Sequence, residues 1–260
     1  MSRRWLSAAL YALSLVVGVV ALAMPFLQRV GAGDSALPAN QTPLLSVVLV
    51  SLCLAVLLVE LQGQAAGAKT VAALGILVAT AATLRFIEVA IPGPGGFSPI
   101  FAPIILGGYV FGPRFGFLLG AMTLLVSGLI TAGVGPWLPY QMFTAGWVGL
   151  SAGWLPHLKQ TRLEVAMLVL FGALWGFLFG AIMNLYTWPL LAGDPGQTWT
   201  PGAGAADALR RYLAFYLATS LLWDTVAAAG NALLLAGLGR PTLRALARFR
   251  DRLQFEVRAA

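Results

Sequence analysis

Three ionisable side chains lie within or beside long apolar runs of the sequence and are the first candidates for chemistry. Arg85 and Glu88 are one helical turn apart near the end of one run, and Asp224 lies inside another. Charged groups at membrane depth are costly and mark substrate, ion or proton pathways more often than surface charges do. Arg85 and Glu88 can pair with each other, either in a binding site or as an ion pair that anchors a helix end. Asp224 predicts a buried carboxylate that is paired, protonated or in contact with a ligand.

Amides and aromatic rings collect on the same predicted side of the membrane. Trp137, Tyr140 and Gln141 belong to the connection TAGVGPWLPYQ, and Asn184 and Trp188 end a later apolar run. Aromatic rings offer stacking area while amides and hydroxyls fix orientation, so these groups predict an outward-facing cavity for a flat, partly polar organic molecule. An interfacial aromatic belt and structural hydrogen bonds inside the helix bundle are the alternatives. The predicted substrate-binding set is Arg85, Glu88, Trp137, Tyr140, Gln141, Asn184, Trp188, Tyr216 and Asp224.

Two further patterns concern how these groups are held in place. The connection IPGPGGFSP contains two prolines and three glycines before Ser98 and Pro99, a composition that predicts a shaped loop, either a tight turn or the rim of a pocket. Glycines recur every fourth residue at Gly172, Gly176 and Gly180, which predicts the close approach of another helix. The last apolar run places several polar groups at nearby positions on one helix face, namely Tyr212, Tyr216, Ser220, Asp224 and Asn231.

Several classes of chemistry are excluded by what the sequence contains. A single cysteine, Cys53, excludes disulfides within the chain and thiolate metal clusters, and a single histidine, His157, disfavours histidine metal sites and catalytic triads. The sequence carries no phosphate-cradling loop, ATP motif or paired catalytic carboxylates. We therefore expect a binding protein without a cofactor or a metal, which cannot by itself drive uphill transport.

The composition shows which elements must position these residues. Hydrophobic residues make up 59% of the 260 residues and charged ones only 10%, whereas a soluble domain carries about 25% charge. A spanning helix needs roughly 20 apolar residues, and the sequence contains eight apolar runs. They cover residues 5–28, 43–62, 69–90, 99–112, 114–134, 138–155, 163–190 and 211–238. This pattern predicts an all-α integral membrane protein of about eight transmembrane helices, the fourth of them short, glycine-rich and kinked or partly re-entrant.

The positions of the basic residues predict the orientation of the chain. With a cytoplasmic N-terminus and eight spans, only Arg29, Arg85, Arg210 and Arg211 of the sixteen basic residues lie outside or near the outer face. The positive-inside rule therefore favours two cytoplasmic termini, and it attributes the net charge of +7 to retained arginines rather than to nucleic-acid binding.

Composition also predicts three segments. Residues 1–68 form a transmembrane hairpin with a small-residue linker, residues 69–239 form a six-helix core that binds substrate, and residues 240–260 form a basic cytoplasmic tail. The tail combines an apolar stripe with arginines at a spacing of four, which predicts a short helix on the anionic lipid surface or against acidic groups of a partner.

The run RFIEVAIPGPGGFSPIFAPIILGGYVFGPRFGFLLGAMTLLVSGLITAGVGPWLPYQMFTAGWVGLSAG, residues 85–153, and the later run WDTVAAAGNALLLAGLGRP resemble substrate-binding S components of energy-coupling factor (ECF) vitamin transporters. The resemblance implies six core helices in a prokaryotic plasma membrane and a vitamin site that faces outside. It also implies three partner subunits, a transmembrane scaffold and two ATPases. In the family the first core helix docks on the scaffold through small residues, which here match Gly75, Ala79 and Thr83. The hairpin of residues 1–68 departs from the family pattern.

The resemblance leaves the vitamin open. A cobalamin-like or other large ring vitamin is the first expectation, and riboflavin, thiamine precursors and queuosine precursors are the alternatives. Two rival functions come from other classes: a stand-alone transporter coupled to protons through Asp224 and Glu88, and an intramembrane enzyme with Ser127 or Ser151 as nucleophile. The enzyme lacks a base in the membrane, because His157 follows the sixth helix on the cytoplasmic side.

Overall fold

A computed structural model describes residues 68–91, 93–191 and 193–253, together with isolated positions between residues 9 and 51. The predicted hairpin of residues 1–68 and the last seven residues of the tail lie almost entirely outside the described residues. In the described part the regular structure is helical, without a β-strand. Its helices are α1 (Ala68–Ala90), α2 (Phe101–Phe111), α3 (Pro113–Ile130), α4 (Leu138–Ala152), α5 (Thr161–Thr187), α6 (Ala205–Thr219) and α7 (Leu221–Leu253), with a 3-10 turn (Trp188–Leu190) directly after α5.

Within the described residues, four segments are long and apolar enough to cross a membrane. They are Thr70–Ala90, Pro113–Ile130, Thr161–Leu190 and Leu221–Asp251. The predicted all-α membrane architecture is thereby confirmed.

The short helix α2 lies inside the bundle, where neighbouring helices cover it. Its eleven residues extend roughly 16 Å, about half of the hydrocarbon thickness, and nine of them are buried by neighbouring helices. Because protein covers α2, its ends are shielded from lipid. Pro103 lies in the first turn, where its missing N–H removes no hydrogen bond within the helix. The helix is therefore short and internal.

The helices α2, α3 and α4 meet backbone to backbone at glycines. Gly149 on α4 lies directly against the carbonyl group of Gly116 on α3, and a Cβ atom at either position would overlap the backbone of the other. A Cβ atom at Gly108 on α2 would also overlap the Gly149 carbonyl. Glycine is required at this junction because the three backbones leave no room for a side chain.

The predicted glycine stripe on α5 is confirmed as a packing surface for α7. A Cβ atom at Gly176 would overlap the backbone of Ala228, and one at Gly172 would overlap the side chain of Leu235. At the same contact the buried Asn231 side chain donates a hydrogen bond from Nδ2 to the carbonyl oxygen of Gly172 at 3.0 Å. The close approach thus allows an amide on α7 to bond to the backbone of α5.

The last predicted segment, residues 211–238, is divided between two helices in the structure. The chain breaks at Ser220, where φ is −125° and ψ is −26°, so Tyr212 and Tyr216 lie on α6 while Asp224 and Asn231 lie on α7. Helix α6 begins at Ala205, six residues before the predicted apolar run.

Helix α7 also runs through Pro241 to Leu253, so residues 240–253 continue α7 and do not form the separate helix predicted for the tail. Three contacts with the core explain this continuation. Leu243 is buried, the Phe249 ring packs edge-on against Phe111 at 6.4 Å between centroids, and Arg250 Nη1 donates to the carbonyl oxygen of Val110 at 3.3 Å. These contacts offset the cost of about 3 kcal/mol that an internal proline imposes.

Candidate functional site

A cavity of about 300 Å³ lies at one end of the bundle, where six helices and the loop of residues 91–100 converge. Its polar walls come from distant parts of the chain: Arg85 and Glu88 on α1, Ser98 in the loop, Gln141 on α4 and Asp224 on α7. The remaining wall is largely apolar and includes Ile100, Phe101, Leu124 and Phe179. A largely apolar pocket with a few convergent polar groups is the usual form of a small-molecule site.

The wall near the end of α1 is a compact ionic cluster. Arg85 Nη1 donates to Glu88 Oε1 at 2.5 Å and to Ser98 Oγ at 3.2 Å, and Ser98 Oγ donates to Glu88 Oε2 at 2.7 Å. The Arg85 and Glu88 side chains are 32% and 18% exposed, and Ser98 is 8% exposed. Because the three side chains form hydrogen bonds with one another, the cluster fixes the loop to α1. It also presents oriented polar atoms to the cavity.

Asp224 forms a second polar wall from the first turn of α7 and is only 8% exposed. The carboxylate packs directly on Gly180 of α5, where any side chain would overlap both of its oxygens. The Tyr216 hydroxyl of α6 faces the carboxylate. Within the described part of the chain, Oδ2 of Asp224 is buried without a hydrogen-bond partner.

The loop of residues 91–100 is seated on α7 through glycines. Gly96 has a φ of +88°, and a Cβ atom there would overlap the backbone of Trp223, while Gly95 lies against the Trp223 ring. Phe97 packs against Gly230 on the same helix. Gly96, Phe97 and Ser98 all line the cavity, so this loop forms part of its rim.

The structure brings four of the nine predicted substrate-binding residues into the cavity wall, namely Arg85, Glu88, Gln141 and Asp224. The other five are not among its lining residues. Trp137 is 44% exposed and donates from Nε1 to the carbonyl oxygen of Gly133 at 3.2 Å.

The remaining four residues contact other parts of the bundle. Tyr140 packs against Tyr186 with 4.2 Å between ring centroids. Asn184 Nδ2 donates to Ser220 Oγ at 2.7 Å, which joins α5 to the break before α7. Trp188 donates from Nε1 to the carbonyl oxygen of Gln197 at 2.7 Å, and Tyr216 reaches the cavity only through Asp224.

Seven lining side chains are absent from the predicted set, among them Ser98, Phe101 and Phe179. The ring centroids of Phe101 and Phe179 are 4.8 Å apart in an edge-to-face arrangement, which makes an aromatic wall between α2 and α5. The signal for Ser98 was present, since it is the one hydroxyl in a loop otherwise built from glycine, proline and apolar residues. The chain has fourteen phenylalanines, and nothing in the sequence distinguishes these two.

The candidate serine nucleophiles are engaged in structural bonds. Ser127 Oγ donates to the carbonyl oxygen of Leu124 at 3.2 Å, and Ser151 Oγ donates to that of Trp147 at 2.6 Å. The His157 ring stacks on Tyr109 with 4.4 Å between centroids. Among the described residues no histidine contacts either serine, so this part of the chain contains no assembled serine and histidine pair.

The predicted docking residues Gly75, Ala79 and Thr83 lie on an exposed face of α1. A Cβ atom at Gly75 would meet nothing within 4 Å. The Thr83 hydroxyl donates to the carbonyl oxygen of Ala79 at 2.8 Å, so it bonds within its own helix. The face is therefore smooth and leaves room for another helix to approach.

Comparison with known proteins gives one match. The family model described as "ECF transporter, substrate-specific component" matches residues 69–239, which is more than half of the chain. No curated protein and no solved structure matches the chain.

Proposed function

The chain belongs to the family of substrate-specific components of ECF transporters, and on that premise we propose that it captures a vitamin or related micronutrient from the outer side of a prokaryotic plasma membrane. Family membership makes it a substrate-binding, multi-pass membrane subunit that associates with an ECF module, not an enzyme. The observation that carries the proposal is the cavity in which Arg85, Glu88, Gln141 and Asp224 converge. The scaffold and two ATPase subunits supply the energy for uptake.

The size of the cavity supports a compact cargo. A volume of about 300 Å³ is at the lower end of the range for small-molecule pockets, which begins at roughly 300 Å³. A cobalamin-like molecule, our first expectation from the sequence, is much larger and requires a wider opening. The dimensions favour a vitamin with one or two small rings.

Binding by the purified protein tests this function. The cavity walls all come from this chain, so we expect small molecules to bind with a dissociation constant of about 1 µM or below without ATP or an ion gradient. Mass spectrometry of molecules retained by the detergent-solubilised protein identifies candidates, and calorimetric titration measures their affinity. A protein that retains no small molecule and binds no member of a vitamin panel contradicts the proposal.

Replacing Ala79 with leucine is expected to weaken association with the ECF module and to leave ligand binding unchanged. The exposed face of Gly75, Ala79 and Thr83 is the proposed scaffold contact, and a larger side chain at its centre keeps the helices apart. Overpacking of this kind costs about 1–3 kcal/mol, which lowers the affinity by roughly 5- to 150-fold. Co-purification of a tagged chain with the scaffold and ATPases measures the effect.

The matched control is Ala236→Leu, the same substitution at an exposed position of α7. We expect this variant to co-purify with the module like the wild type. Equal recovery of the module by the Ala79→Leu and wild-type proteins removes this face of α1 from the scaffold contact.

A further inference from the structure

The inference concerns the charge of the cargo and rests on the proposed function. The described cavity wall carries two carboxylates, Glu88 and Asp224, and one cation, Arg85. Arg85 Nη1 donates to Glu88 at 2.5 Å and to Ser98 at 3.2 Å, and both partners lie on the α1 side of the cavity. Asp224 is therefore left without a cationic partner among the side chains that line the cavity.

A buried carboxylate needs compensation. Asp224 is 8% exposed, and its Oδ2 atom is buried with no hydrogen-bond partner in the described part of the chain. The Tyr216 hydroxyl faces the carboxylate, and Gly180, on which the carboxylate packs, has no side chain that could donate a hydrogen bond. Isolation of an ionised carboxylate from water is strongly unfavourable unless a donor or cation completes its shell.

The neighbouring wall suits the apolar part of a cationic molecule. Phe101 and Phe179 form an edge-to-face pair that lines the same cavity as Asp224. Aromatic faces attract organic cations and stack on flat heterocycles. Gln141 adds an amide with donor and acceptor atoms on a further wall.

We propose that the cargo is a compact organic cation, a small heterocycle bearing a protonated amine or amidine, whose N–H groups donate to the carboxylate of Asp224 while its ring packs against Phe101 and Phe179. In the bound state the cargo balances the charge of the cavity, because it supplies the second cation. The Arg85–Glu88 pair stays intact and contacts the polar edge of the ring.

Two matched vitamins test the sign of the charge. Pyridoxamine and pyridoxine differ by an ammonium group in place of a hydroxyl, and thiamine, riboflavin and pantothenate extend the panel to a second cation, a neutral ring and an anion. The full-length protein in detergent is titrated with each probe by calorimetry. We expect pyridoxamine to bind about 10- to 100-fold more tightly than pyridoxine, the range for a hydrogen bond to a charged group.

Asp224→Asn removes the charge and keeps the shape of the side chain. We expect it to abolish the preference for pyridoxamine over pyridoxine, because the charged interaction that distinguishes the two probes is lost. The control is Asp194→Asn at an exposed loop position, whose side chain accepts a hydrogen bond from the Gly196 backbone at 2.8 Å. This control is expected to behave as wild type.

The outcomes separate the inference from the function on which it rests. The inference is supported if the wild type prefers cations and the Asp224→Asn variant does not. Tight binding of riboflavin or pantothenate without any preference for cations overturns it and leaves the transport function intact, a result readable in the wild type alone if the variant fails to fold. Binding of no panel member, combined with a retained molecule that carries no cationic group, also overturns it.

Discussion

Replacing Glu88 with alanine is expected to abolish ligand binding and to lower the free energy of unfolding by about 2 kcal/mol. This loss lies between the values for an exposed and a buried ion pair, because the Arg85–Glu88 pair is partly buried. The substitution leaves Arg85 without its carboxylate and leaves Ser98 without the acceptor at 2.7 Å that fixes the loop of residues 91–100. Both the charge balance and the rim of the cavity are then lost. Calorimetric titration with the retained small molecule and thermal unfolding followed by tryptophan fluorescence measure the two effects.

The matched control breaks a second arginine and carboxylate pair outside the cavity. Arg211 and Asp207 are 2.7 Å apart on α6, with side chains 27% and 45% exposed. Asp207→Ala is expected to cost only about 0.5 kcal/mol, because exposed pairs of this spacing contribute little. Glu88→Gln keeps the size of the side chain. Its loss of unfolding free energy is expected to lie between those of Glu88→Ala and Asp207→Ala. Wild-type affinity in a folded Glu88→Ala protein removes the cluster from the binding site.

The second large effect is expected from Gly149→Ala at the junction of α2, α3 and α4. A single added methyl group overlaps the backbone of Gly116, and backbone atoms cannot move aside as a flexible side chain can. We expect a loss of about 3 kcal/mol, the upper end of the usual cost of overpacking. The midpoint of thermal unfolding in detergent falls accordingly, and less folded protein is recovered after gel filtration.

Gly237→Ala provides the comparison within a helix. It lies on α7, where a Cβ atom meets nothing within 4 Å. Alanine is favoured over glycine inside helices by about 1 kcal/mol, so this variant is expected to be as stable as wild type or more so. If Gly149→Ala and Gly237→Ala unfold at the same temperature, the backbone contact between α3 and α4 is not a requirement of the fold.

The helices that face lipid were the easiest to predict from the sequence. The apolar run 69–90 corresponds to α1, and the run 163–190 corresponds to α5 and its 3-10 turn, because apolarity over a membrane thickness is a strong signal. The break at Ser220 carries no such signal, since Thr219 and Ser220 are only two small polar residues between two apolar stretches. The continuation of α7 past Pro241 depends on contacts with α2, which local propensity does not register.

The candidate site was also predicted only in part. Arg85, Glu88 and Asp224 were selected because charge is rare in apolar runs, and all three line the cavity. Trp137 and Tyr140 were selected by type, but helical periodicity does not fix the direction of side chains at a loop boundary. One of them is exposed and the other packs on Tyr186. The backbone contact of Gly116 with Gly149 could not be read from the sequence, because the chain has thirty glycines and pairing between helices is a tertiary property.

Uptake into proteoliposomes distinguishes a substrate-binding ECF subunit from a proton-coupled transporter. The chain is reconstituted alone, or with the scaffold and ATPase subunits from the same organism and ATP inside the vesicles, with the radiolabelled retained molecule outside. We expect binding but no accumulation by the chain alone, even with an inward proton gradient, and ATP-dependent accumulation by the complete complex. Accumulation by the chain alone that follows the proton gradient and is lost in Asp224→Asn contradicts this expectation and establishes the proton-coupled transporter instead.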